Sequence, residues 1–345
     1  MKSIFYLLLA LSFFSCTSTE QEVQGEEKLK ALIIDGSNNH YIWPKTTFMM
    51  KDYLEETGLF EVAVYRLDSV WLGIKYNQSR PVPYEGYIAD YPVGEGPPAI
   101  SKEPLQTADV PLDFSQYDVV ISNLGASTPR WPAATEQKFE EYVKNGGGFV
   151  LVHAANNAWG DWAAFNKMIG LGAWGDRDST TGPYVYYDDQ GEIQEDPSAG
   201  VCATHGLEHE YRVSTRAEGH PIMQGLPSEW LHAKDELYDR MRGPFEGATI
   251  LATAYSDPED NKQPWPPVLP GTGRHVPVLM AINYGEGRIF HSTMGHFDYS
   301  MECLGFQVTF QRGVEWAASG EVSQEIPEEF PSADASLSKA WMKKN

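Results

Sequence analysis

Apolar runs of strand length alternate with stretches of helical period from residue 30 onward. Leu32-Ile33-Ile34 is a short β-favouring run that gives way to the polar loop 35–43. Residues 46–57 put Phe48, Met49, Tyr53 and Leu54 on or near one stripe, the pattern of a helix that covers a sheet with one face. Residues 60–67 predict a second strand, 119–123 a third, and 135–145 a helix that stops at Gly146. Residues 149–152 follow three glycines and are wholly apolar, which suits a strand buried on both faces of a parallel sheet. Residues 249–254 and 278–283 read as strands, and the turn Tyr284-Gly285-Glu286-Gly287-Arg288 leads into Ile289-Phe290-His291 as a hairpin. Residues 306–318 predict a closing helix. This order predicts an α/β fold: a doubly wound, mostly parallel sheet flanked by helices, with right-handed crossovers. Two long insertions without clear period, 68–112 and 171–208, break the rhythm, and such insertions tend to serve function.

The buried run 149–152 stops at His153, followed by two alanines and the pair Asn156-Asn157. In open α/β sheets ligands gather at the carboxyl ends of strands, so a polar residue there is placed to act on something. Other histidines and carboxylates stand at comparable points: His40, His209 with Glu210, Asp235 with Glu236, and His296 with Asp298. A parallel sheet brings such loops to one rim across any sequence separation. Imidazole can trade protons with a hydroxyl or with a carbon beside a carbonyl. Imidazole with carboxylate can equally hold a divalent metal. Sequence leaves both roles open. Plain structural readings cover the rest: His220 in a loop before proline, His232 and His275 in solvated loops, His291 packed on a sheet face, His205 likewise outside the site. Asp235-Glu236 reads as capping and solvation as readily as a site pair.

Composition narrows the partners. Among 345 residues there are 26 Lys plus Arg against 48 Asp plus Glu, a formal charge of −22, which argues against nucleic acid and anionic lipid. Ten Trp and eighteen Tyr supply rings that can lie against the apolar faces of sugars or fill the core. At the amino terminus Met1-Lys2, an apolar stretch over 4–14 and Ser15-Cys16 predict a signal peptide over 1–15 with a lipobox-like end. Residues 16–29 then read as a disordered tether from a lipidated Cys16, and 320–345 as an acidic surface tail. The expected location is the bacterial cell envelope, with the membrane reached through the lipid anchor alone. Cys202 and Cys303 allow one disulfide or two separate thiols, and no Cys-x-x-Cys spacing suggests structural zinc.

Several stretches, in this order, carry a family resemblance: Asp35-Gly36 with Asn39-His40, Gly146-Gly147-Gly148 with His153-Ala154-Ala155, His209-Glu210-Tyr211, His220-Pro221-Ile222, Asp235-Glu236-Leu237-Tyr238, and the 284–288 turn with Gly295-His296. Over residues 30–319 the chain resembles the trehalose-utilisation (ThuA-like) family, whose fold is similar to the class I glutamine amidotransferase domain. The resemblance implies a sugar, disaccharide or keto-sugar derivative as substrate, and no nucleotide. It also argues against amidotransfer, because His153 stands where that chemistry needs a cysteine nucleophile. On this reading His153, Glu210 and His296 are the catalytic residues and share one pocket. Asn39, His40, Trp43, Asn156, Trp159, Asp235 and Glu236 line the substrate. Where a divalent metal such as zinc is present, His153, His209 and His296 hold it. Neighbours on a strand point to opposite faces, so His209 and Glu210 both reach the pocket only if the chain bends there. A non-catalytic glycan-binding envelope lipoprotein is the alternative.

Overall fold

The computed structural model describes residues 27–73, 84–188 and 190–344. The expected signal peptide, the lipidation site Cys16 and the tether up to residue 26 lie outside the described residues, as does 74–83 of the first insertion. In chain order the elements are β1 (Leu29–Ser37), α1 (Trp43–Glu56), β2 (Phe60–Trp71), α2 (Tyr84–Asp90), β3 (Ala99–Ser101), β4 (Val119–Ser122), α3 (Ala133–Lys144), β5 (Gly148–Val152) and α4 (Ala163–Ile169). Then follow β6 (Tyr184–Tyr187), β7 (Ile193–Asp196), β8 (His209–Thr215), β9 (Glu229–Asp235), β10 (Ala248–Tyr255), β11 (His275–Tyr284), β12 (Gly287–Ser292), α5 (Asp298–Met301) and α6 (Leu304–Ser319).

One sheet runs β3-β2-β1-β4-β5-β12-β11-β10-β8-β9, with the β6–β7 hairpin attached to β11. The half from β3 to β12 is parallel, as the doubly wound pattern predicts. Beyond β12 the sheet turns antiparallel, because the Tyr284–Gly287 turn sends the chain straight back. The apolar run of β5 is buried at every position, as a central parallel strand requires. Gly148 opens that strand because a β-carbon there would stand 2.5 Å from the Ala317 carbonyl oxygen at the end of α6. Helices α1 and α6 cover one face with Met49, Met50, Leu54, Phe306 and Phe310. Helices α3 and α4 cover the other with Phe139, Phe165 and Met168.

This topology fixes where a site can form. From β1 the chain steps outward to β2 on one side and later to β4 on the other, so a crevice opens between β1 and β4 at their carboxyl ends. The loops after β1, β4, β5 and β12 share that rim. Strand β9 runs in the same direction as β12, and β8 opposes it, so the end of β9 and the start of β8 reach the rim too.

The chain beyond Ser319 crosses the surface and is tied down at several points. Its Ser332 and Leu337 carbonyls accept from Leu231 and Leu304 at 2.7 and 2.9 Å. Phe330 packs edge-on against Trp230, and Trp341 Nε1 donates to Asp52 on α1 at 2.9 Å. Cys202 and Cys303 are both free thiols. No helix among the described residues is long and apolar enough to cross a membrane.

Candidate metal centre

His153 ends β5 in the left-handed region, with φ +48, where a non-glycine residue is held only by its surroundings. Its Nδ1 donates to the Thr293 carbonyl at 2.7 Å, a group that can only accept. In the neutral ring Nε2 therefore carries the lone pair, and it faces the crevice. Tyr238 stands 2.9 Å from that nitrogen and Glu236 Oε2 3.5 Å. Burial raises the Tyr238 phenol well above its ordinary pKa, so its hydroxyl keeps its proton and donates. Burial pulls the His153 pKa down, but Glu236 and Asp235 outweigh it and the net direction is up.

His296 follows β12 through Gly295, whose φ of +106 and contact with Phe306 and Val152 leave no room for a side chain. His296 Nδ1 donates to Glu208 Oε1 at 2.6 Å, which turns Nε2 toward Glu236 Oε1 at 3.4 Å. Burial works against ionised Glu208, yet the hydrogen bonds from His296 and Tyr299 prevail and hold it down at about 2. The two rings, predicted to share a pocket, have centroids 5.1 Å apart. His40, in the loop after β1, lies 4.4 Å from the His296 ring and 5.2 Å from the His153 ring.

His40, His153, His296 and Glu236 can each offer one ligand atom, all within 4.8 Å of one another. Two ligands about 2.1 Å from a tetrahedral ion stand about 3.4 Å apart. Glu236 stands at comparable spacings, Oε1 3.4 Å from His296 and Oε2 3.5 Å from His153. Both well-defined imidazoles also have the other nitrogen committed to an oxygen, the arrangement that orients histidine ligands. Three imidazoles and one carboxylate suit a divalent transition ion.

Behind the cluster, Asp235 joins two loops. It accepts from the backbone of Gly295 at 2.7 Å, His296 at 3.1 Å and Glu236 at 2.9 Å, and pairs with His232 at 2.8 Å. Asp235 and His232 are fully buried. Burial disfavours both charges, but the pairing lowers Asp235 to about 2. The Cys303 sulfur and Asp235 overcome burial to raise His232.

The structure gathers His153, His296, His40 and Glu236, with Asn39 beside His40 at 3.1 Å and Asp235 one layer behind. Four expected site residues, His209, Glu210, Asn156 and Trp159, lie elsewhere. His209 is half-exposed and bonds the Leu207 carbonyl, and Glu210 is exposed and accepts from Ser336 at 2.5 Å. The chain meets the rim at Glu208; once β8 begins, each residue carries it away. Trp43, buried in the first turn of α1, borders the small cavity beside His40, His153 and His296, with its Nε1 donating to Trp71 O and its ring covered by Arg66. The 3-10 turn His153–Asn157 leads the chain under the sheet, so Asn156 bonds buried His291 and Trp159 packs between Trp131 and Phe165.

Sequence reasoning missed Glu208, His205, Tyr238, Trp174 and Trp265. His205 stands 3.6 Å from Glu236 Oε1, at the site and not apart from it. His232, expected in a solvated loop, is a buried residue of β9. Glu208 stands one residue before a stretch already singled out, and Tyr238 closes another, but neither was given a role there. Trp174 and Trp265 lie in irregular connections, where no period marks them.

The sequence model of the ThuA family, described as trehalose utilisation, matches residues 106–317. Among solved structures, a ThuA-like protein from Parabacteroides merdae is 37% identical, with 91% of this chain and 98% of that one covered and a TM-score of 0.73. Another ThuA-like protein, from Bacteroides uniformis, is 17% identical over 86% of this chain and 93% of that one, with a TM-score of 0.49. No curated protein sequence matches the chain.

Proposed function

This chain belongs to the trehalose-utilisation (ThuA) family, and from that premise we propose that it is a metal-assisted enzyme acting on a sugar, disaccharide or keto-sugar derivative. The observation that carries the reading is the convergence of His40, His153, His296 and Glu236 on one point at the switch crevice of the sheet. A divalent ion held there would act as a Lewis acid toward a sugar hydroxyl or carbonyl oxygen. The surrounding groups divide the remaining work. Tyr238, kept protonated by burial, bonds His153 Nε2; with that nitrogen on an ion its hydroxyl would be released to donate to a substrate oxygen that gains negative charge. His205 donates through Nδ1 to the Gly206 carbonyl at 2.8 Å, which leaves Nε2 basic in the neutral ring. That nitrogen is our choice for the group that takes a proton from the substrate. Glu208 orients His296. The positive start, apolar run and Ser15-Cys16 sequence support export to the envelope and lipidation at Cys16.

The test is an assay of the soluble domain against disaccharides and keto-glycosides, before and after stripping with a chelator. Turnover should vanish on stripping, return with added divalent ion, and fall about a hundredfold in Tyr238→Phe while metal is retained. Turnover indifferent to stripping overturns the metal role. Sugar binding without conversion of any of these substrates favours the glycan-binding alternative.

A further inference from the structure

We propose that Trp265 forms a second sugar subsite beside the cluster, so that the site distinguishes two-ring from one-ring ligands. The proposal rests on the sugar-processing reading above and adds the residue that sets ligand length. Trp265 belongs to the connection between β10 and β11 and is 40% exposed, unusual for so large an apolar ring. Its position is fixed all the same, because buried Gln263 donates to the carbonyls of Trp265 and Pro267 at 3.3 and 2.8 Å. The indole meets the His205 ring at 4.9 Å with the planes inclined by 61°. His205 in turn lies 3.6 Å from the Glu236 oxygen that faces the cluster. Trp265 is therefore one side chain, His205, removed from Glu236 of the cluster.

The side chains between platform and cluster suit a polyhydroxylated ring. Trp174 stands edge-on to both Tyr238 and His205, at 5.0 and 5.7 Å. Its backbone is in the left-handed region, φ +47, and the buried Arg177 guanidinium holds the turn by donating to the carbonyls of Ala173 and Trp174. Between platform and cluster stand His205 and Tyr238, ring centroids 6.1 Å apart, each with a polar edge for hydroxyl groups. A pyranose presents an apolar C–H face to an aromatic ring and hydroxyls at its edge.

Calorimetric titration of the zinc-loaded protein with trehalose and with methyl α-glucoside tests the subsite, with metal content measured on the same samples. Wild type should bind trehalose about tenfold more tightly than the one-ring probe. Trp265→Ala should erase that preference with unchanged metal content, and Trp265→Phe should keep most of it. A preference that survives in Trp265→Ala overturns the proposal, as does a wild type that does not favour trehalose, absence of binding to both probes included. A wild type without metal that still prefers trehalose through Trp265 upholds the subsite and overturns only the metal reading.

Discussion

His153 and His296 are prepared by the same device from different partners. Each commits Nδ1 to an oxygen, the Thr293 carbonyl in one case and the Glu208 carboxylate in the other, and presents Nε2. The carboxylate partner is the one open to a mild test. Glu208→Gln keeps the shape but loses the charge that strengthens the His296 ligand. Metal affinity should fall about 10- to 100-fold, measured by competition with a chromophoric chelator, with the thermal midpoint nearly unmoved. Unchanged affinity would show that Glu208 only fills space. At this scale the sequence was partly legible. A histidine at the end of a fully apolar strand is a strong signal, and His153 is where that signal points. Glu208 against Glu210 turns on where a strand begins, a matter of hydrogen bonding that two adjacent glutamate-histidine neighbours do not reveal.

At the scale of elements, Asp235 couples the end of β9 to the loop after β12, and buried His232 supports it. The titratable groups facing His232 are Asp235 and the Cys303 thiol, with the Tyr211 ring 5.2 Å away. Its folded pKa is raised from 6.5 to about 10. A raised pKa gives stability that is fully present below the unfolded value near 6.5 and is lost as pH rises through the folded one. His232→Gln should therefore cost about 3 kcal/mol at pH 6, and the gap to wild type should close toward pH 10, read from urea unfolding. A gap independent of pH would mean that the ring acts by packing alone. The central parallel strands were legible because β1, β4 and β5 carry short apolar runs and the helices α1 and α3 keep their period. The antiparallel half was less so: β9 buries alternate positions only in part, and its site residues come just after its end. Trp174 and Trp265 were invisible because a loop's course depends on distant anchors such as Arg177 and Gln263.

On the scale of the whole molecule, one rim of one sheet collects residues from His40 to His296, and the segment after Ser319 straps the opposite ends of the covering helices. Composition marks that strap as an acidic surface tail but does not reveal its ties, since its aromatic anchors are few among acidic residues. Removing residues 320–345 uncovers Trp230 and frees α1 from Trp341, so stability should drop by at least about 2 kcal/mol. The thermal midpoint should fall by several degrees, whereas removing residues 1–26 should leave it in place. Equal midpoints for the two truncations would contradict the strap. The central claim is the ion itself, and its most direct measurement is metal stoichiometry by mass spectrometry on the soluble domain after exposure to zinc and exhaustive dialysis. The account predicts one ion per chain in wild type and in His209→Ala, and less than about a tenth of that in His153→Ala and His296→Ala. A metal-free wild type, or an ion retained in full by both of the latter variants, would contradict it.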